Sequence, residues 1–172
     1  RDEQIVGEAL EKALQRREGR EPLQYIVGKW DFYRQTYYVD ENCLIPRADT
    51  EILVEKAIEI LPKNARFIDL CTGSGCIAWT MALDKPGACV TAVDISDDAL
   101  AVASSQDFVD EMQQTGALSP EFVKADVLSD DLADIISNET KDEEGKSIQQ
   151  FDLLLSNPPY VMDKEKSLMR TN

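Results

Sequence analysis

The chain of 172 residues contains no histidine. Ser-His-Asp and Cys-His nucleophilic catalysis, His-ligated zinc and imidazole general bases are therefore all excluded. Basic residues are scarce as well, with 18 Lys and Arg against 33 Asp and Glu and a formal net charge of -15. Affinity for duplex nucleic acid comes mainly from a broad basic face, so stable nucleic-acid binding is not expected. No apolar run approaches the length that spans a bilayer, and Arg1-Asp2-Glu3-Gln4 carries no signal-peptide core. A soluble, cytoplasmic chain without a membrane partner is expected. Cys43, Cys71, Cys76 and Cys89 lack C-x-x-C spacing and read as reduced thiols. A metal at Cys71 and Cys76 would need two further ligands, so no metal site is expected. What is present, a hydrophobic content of 43%, is enough for the core of one ordinary domain.

The chain starts without Met on a helical pattern, with Ile5, Ala9, Ala13 and Leu14 at three- and four-residue spacing before Gly19. That pattern reads as the last helix of something longer. Tyr25 to Val39 is rich in β-branched and aromatic residues around a polar Arg34-Gln35 centre, which suits a hairpin whose aromatics pack on a sheet. Pro46-Arg47-Ala48-Asp49-Thr50-Glu51 then leads into Ile52, Leu53, Val54, Ala57, Ile58 and Leu61, a helix stopped by Pro62. From Arg66 onward short apolar runs alternate with helical stretches, the pattern of βαβ units in an α/β fold with a parallel sheet. Strands are expected at Phe67–Leu70, Cys89–Val93, Glu121–Ala125 and Phe151–Leu155. Helices are expected around Cys76–Leu83, Asp97–Gln114 and Asp130–Ile136, and Ser137–Gln150 reads as a charged surface insertion.

The first strand ends in Asp69-Leu70-Cys71-Thr72-Gly73-Ser74-Gly75 and runs into a helix, so backbone N–H groups at a helix N-terminus face a ligand with little side-chain bulk between. A tight turn without a ligand would read the same way. The second strand, however, ends in Asp94, about twenty residues on, where an acidic side chain reaches ribose hydroxyls. The loop has neither the third Gly of G-x-G-x-x-G nor a P-loop Lys, so it is not built to neutralise phosphate. A nucleoside cofactor without phosphate fits best, and S-adenosylmethionine leads. Asp126, closing the third strand, is placed to accept from the adenine amino group with Val127 as an apolar wall; a role as an N-cap or turn residue stands beside that reading.

Asn157-Pro158-Pro159-Tyr160 follows the fourth strand. In an open sheet of order 3-2-1-4, strands one and four flank the topological switch point, and this loop faces the Gly-rich loop. A planar amide or exocyclic amino nitrogen attacks a methyl carbon only when its N–H groups are held by acceptors and it is aimed. The Asn157 side-chain oxygen and the Pro158 carbonyl can be those acceptors, and Tyr160 offers a π-face to substrate and sulfonium.

The runs Arg17 to Gly28 and Leu44 to Glu51, the Asp69 to Gly75 loop and Asn157 to Tyr160 together resemble the release-factor glutamine methyltransferase (HemK) family. The resemblance implies methyl transfer from S-adenosylmethionine, leaving S-adenosylhomocysteine, to the amide of the Gln in the Gly-Gly-Gln loop of peptide chain release factors. It implies cofactor contacts at Thr72, Gly73, Ser74, Gly75 and Asp94, to which the residue reading adds Asp69, Asp126, Val127 and Asn157. Asn157, Pro158, Pro159 and Tyr160 become the substrate loop, with Asn157, Pro158 and Tyr160 catalytic. Ala48 stands where the family usually has Pro, and Cys71 where such loops often have Gly. The implied organisation is the end of an amino-terminal helical domain at 1–18, a β-hairpin linker at 19–45 and a carboxyl-terminally incomplete Rossmann-like methyltransferase domain at 46–172. A monomeric central fragment is expected. An adenine or cytosine amino-methyltransferase acting on nucleic acid, which uses a related loop, and a non-catalytic cofactor-binding module are the alternatives.

Overall fold

A computed structural model of the chain describes residues 2–140, 145 and 150–159. Four short strands of a central sheet follow a small amino-terminal hairpin, and the elements are numbered along the whole chain. The hairpin is β1 (Lys29–Phe32) and β2 (Gln35–Tyr38), preceded by α1 (Asp2–Glu18) and α2 (Leu23–Val27) and followed by α3 (Ala48–Ile60). The central strands are β3 (Arg66–Leu70), β4 (Cys89–Asp94), β5 (Glu121–Lys124) and β6 (Leu153–Ser156), all parallel and in the order β5-β4-β3-β6. This is the expected 3-2-1-4 arrangement. Between the strands lie α4 (Cys76–Asp84), α5 (Asp97–Ser104), α6 (Val109–Thr115) and α7 (Leu132–Glu139).

Alternation along each strand divides the apolar residues between two faces. Phe67, Val90, Ala92 and Leu155 pack with Val54 and Ala57 of α3 and with α4, of which Cys76 through Leu83 are all buried. Ile68, Val93, Val123 and Ala125 pack on the other face with Ile136 of α7. A sheet covered on both sides explains why its strands read as continuous apolar runs. The strand order reverses between β3 and β6, where Leu70 lies beside Ser156, and the Ser156 hydroxyl donates to the Leu70 carbonyl at 2.8 Å. The carboxyl ends of these two strands therefore form the switch-point crevice.

Several expected boundaries shift. The segment from Tyr25 does not begin as strand: Pro22 at the N-cap and Gly28, left-handed at φ 74 at the C-cap, enclose the helix α2. These start and stop signals outweigh the β-branched content of Tyr25-Ile26-Val27. The hairpin turn is Tyr33-Arg34, not Arg34-Gln35, because Phe32 pairs with Gln35 and Tyr33 takes φ 56. Phe32 and Tyr37 join the core as expected of packing aromatics, whereas Trp30 and Tyr38 are exposed.

The single helix expected over Asp97–Gln114 is two helices, α5 and α6. Gln106 and Phe108 lie in the break and are both buried. Two residues apart on one helix they would face roughly 200° from each other, so a continuous helix could not bury both. β6 begins at Leu153 instead of Phe151, α7 runs on to Glu139, and most of Ser137–Gln150 beyond it, like Tyr160, lies outside the described residues. Among the described residues no helix is long and apolar enough to cross a membrane.

Candidate functional site

The Gly-rich loop leaves β3 through Cys71, whose φ of 63 lies in the left-handed region. A side chain there costs about 1 kcal/mol relative to Gly, which gives the Cys71 departure from the family pattern its physical meaning. Ala48, the other departure, is the first residue of α3. Pro is favoured at that position for its fixed φ alone, so Ala forfeits only preorganisation.

Within the loop the Thr72 N–H donates to the Val93 carbonyl at 2.9 Å, the Gly75 N–H to the Thr72 carbonyl at 2.9 Å, and the Gly73 N–H to Asp94 Oδ2 at 2.9 Å. These three amides are spent inside the protein. A loop with them engaged has less to offer an anion, in keeping with a cofactor that carries no phosphate. Asp94 holds the ends of both loops, since its Oδ1 accepts from the Ser96 N–H at 3.0 Å.

Gly73 and Gly75 do different work. Gly73 has φ 55 and, among the described residues, nothing within 4 Å of the place a Cβ would occupy. Gly75 has φ 78, and a Cβ there would meet the Cβ of Ala103 at 3.0 Å and Trp79 Cδ1 at 3.1 Å. Trp79 is fixed in that contact by its indole N–H, which donates to the Ala103 carbonyl at 2.8 Å. Gly75→Ala is expected to destabilise the protein by about 2 kcal/mol through strain and overpacking, and Gly73→Ala by about 1 kcal/mol through strain alone. Denaturant unfolding of the two variants checks this, and equal losses would remove the Ala103 contact as a cause.

Beneath the loop Asp69 is 0% exposed. Its Oδ2 accepts from the Thr72 hydroxyl at 2.6 Å, while Oδ1 is buried and, among the described residues, makes no well-formed hydrogen bond. Burial pushes this carboxyl up to about 7, against the opposing pull of Thr72 and of the nearby Ala78 backbone N–H, and Asp94 adds to the rise. The half-buried Cys71 thiol is likewise pushed up, by burial first, then by Asp94, with Asp69 and Asp126 contributing. Asp94 and Asp126 thus set a negative field at the carboxyl ends of β4 and β5. Asp126 is exposed, and its Oδ1 accepts from the Leu128 N–H at 2.9 Å, the turn role weighed for it; the N-cap of α7 is Asp131. Val127 is half-buried against the smaller core cluster.

Asn157 follows β6 across the crevice, and its Nδ2 donates to Thr50 Oγ1 at 3.0 Å. Pro158 and Pro159 beside it are exposed. Two residues that sequence reasoning missed support this site. Thr50, in the first turn of α3, is 6% exposed, and the neighbouring Glu51 Oε1 accepts from the Tyr33 N–H at 3.1 Å, so one helical turn joins the hairpin to the Asn157 loop. Gln106 accepts from the Tyr38 N–H at 2.8 Å and donates to the carbonyls of Tyr38 at 3.0 Å and Ser74 at 3.1 Å, tying the hairpin to the Gly-rich loop. Thr50 sits inside the motif Pro46 to Glu51 and could have been found there. Gln106 carries no local signal.

Residues 48–171 match the family model of the methyltransferase small domain. A release factor glutamine methyltransferase of Chlorobaculum tepidum is 40% identical over 165 residues, which cover 92% of this chain and 51% of that protein. One of Flavobacterium psychrophilum is 39% identical, covering 89% and 48%. A bifunctional methyltransferase of Rickettsia bellii is 34% identical, covering 96% and 32%. The chain thus spans about half the length, or less, of these relatives.

Proposed function

The chain belongs to the methyltransferase small domain family, and on that premise we propose that it methylates the side-chain amide of the Gln in the Gly-Gly-Gln loop of peptide chain release factors, using S-adenosylmethionine. The carrying observation is the position of Asn157 and Pro158, directly after β6 at the switch point and opposite the Gly-rich loop. The names of the relatives, release factor glutamine methyltransferases, support the choice of substrate. The partner is a release factor, the setting is the cytoplasm, and the protein acts as a monomer.

The residues present suit this cofactor. The side of Gly73 left open by the described residues and the carboxylates of Asp94 and Asp126 fit a cationic ligand, and the engaged amides of Thr72, Gly73 and Gly75 suit one without phosphate. Asp94 would take the ribose, because each carboxylate oxygen accepts more than one hydrogen bond and its two backbone contacts do not exhaust it. Asp126 and Val127 would border the adenine, and Asp69 with Thr72, Gly73, Ser74 and Gly75 the amino-acid end. When bound, S-adenosylmethionine supplies a sulfonium-activated methyl group and departs as S-adenosylhomocysteine.

This chain's own contribution is orientation. An amide nitrogen is a weak nucleophile because its lone pair is delocalised. Asn157 Oδ1 and the Pro158 carbonyl accept its N–H groups and hold the nitrogen in line for attack, and Tyr160 supplies an aromatic wall. A nucleic-acid amino group would need the same acceptors, but the net charge of -15 disfavours a strand-binding surface.

The deciding experiment compares methyl transfer to release factor and to its variant with Ala in place of the loop Gln. Labelling of the first alone supports the assignment, and equal labelling of both defeats it. Asp94→Ala should weaken cofactor binding about ten- to a hundredfold, the cost of a lost charged hydrogen bond. Calorimetric titration reads it, and unchanged affinity in the folded variant would place the cofactor elsewhere.

A further inference from the structure

We propose that Thr50 is a positioning residue for the reaction, holding the Asn157 carboxamide in the orientation that presents its oxygen to the substrate amide. The proposal rests on the functional reading above. The contact joins residues 107 apart in sequence, Asn157 Nδ2 donating to Thr50 Oγ1 at 3.0 Å. A carboxamide is planar, with nitrogen and oxygen on opposite arms of one fork, so fixing the nitrogen against α3 turns the oxygen to the other side. The terminal torsion of Asn is by itself broad and nearly two-fold, so a contact with a fixed hydroxyl helps to select which arm faces α3. The wrong arm would offer N–H groups to the N–H groups of the substrate.

Thr50 is itself well anchored. It is 6% exposed, its backbone N–H donates to the Arg47 carbonyl at 3.0 Å, and Val54 and Ala57 hold the same helix in the core. Glu51, next in sequence, bonds the Tyr33 N–H of the hairpin turn, which fixes the turn of helix from the other side. A β-branched residue has a restricted χ1, so the Oγ1 position is set by the backbone. These features make the hydroxyl a rigid reference point for the Asn157 amide.

Thr50→Val keeps the shape and removes the hydroxyl, and Thr50→Ser keeps the hydroxyl. In the full chain, Thr50→Val is expected to lower turnover on release factor about tenfold while cofactor affinity and KM stay within about twofold, since misaligned groups cost rate more than binding. Thr50→Ser should restore most of the rate. Independently of substrate, the Asn157 side-chain NH2 signals in an NMR spectrum, assigned by their absence in Asn157→Ala, should move in Thr50→Val and stay near wild type in Thr50→Ser. The wild-type rate on release factor tests the functional reading, and the NMR contrast tests the contact. An Asn157 signal unmoved in Thr50→Val, or undiminished turnover once it has moved, overturns the proposal.

Discussion

Asn157→Ala is expected to lower the rate of methyl transfer by about a hundredfold or more and to leave cofactor affinity within about threefold. The asymmetry follows from where the side chain sits. Asn157 lies beyond β6, held by Thr50 of α3, whereas the backbone contacts of the Gly-rich loop are made by Asp94 from the other side of β3. A preorganised partner that serves the transition state more than the ground state, when removed, typically costs about 10²- to 10³-fold in turnover. Single-turnover kinetics gives the rate and titration of the cofactor gives the affinity. Parallel losses in both would make Asn157 chiefly a cofactor residue and would end the alignment argument.

The parts of the fold that were legible in the sequence are those fixed by local chemistry. The apolar runs around Phe67, Val90, Val123 and Leu155 announce strands buried on both faces, and Gly73 and Gly75 announce a left-handed turn. The strand order β5-β4-β3-β6 followed from the same pattern together with topological rules. What was hidden depends on distant partners. Gln106 breaks an otherwise helical stretch because its buried amide serves Tyr38, 68 residues away, and Ser74. Helical periodicity contains no trace of that demand. The orientation of Asn157 was hidden for the same reason, since its partner Thr50 lies four strands back along the chain. Cys71 adopts a left-handed conformation although its residue type disfavours it, because the strand-to-helix turn imposes that backbone.

Raising the pH from 5 to 8 is expected to destabilise the wild-type protein by about 3 kcal/mol relative to Asp69→Asn, in the absence of cofactor. Asp69 has a folded-state pKa of about 7 against an ordinary value of 3.8, chiefly because burial disfavours its charge. An acid whose pKa is raised on folding holds its proton in the native state after the unfolded chain has released it. Stability therefore falls as pH rises from 3.8 towards about 7, and the whole penalty is present above that. Each pH unit inside the window is worth about 1.4 kcal/mol, so the full penalty is about 4 kcal/mol, of which roughly 3 falls between pH 5 and 8. At 0% exposure, solvent does not screen it. Asn at this position keeps an acceptor for the Thr72 hydroxyl but buries an amide N–H₂ where Oδ1 now lies unpartnered, a cost of about 1–3 kcal/mol that does not change with pH. That constant cancels in the comparison, as do the other carboxylates common to both proteins. Urea unfolding at the two pH values gives the four free energies, and a difference near zero would mean that Asp69 stays ionised in the folded protein across the range.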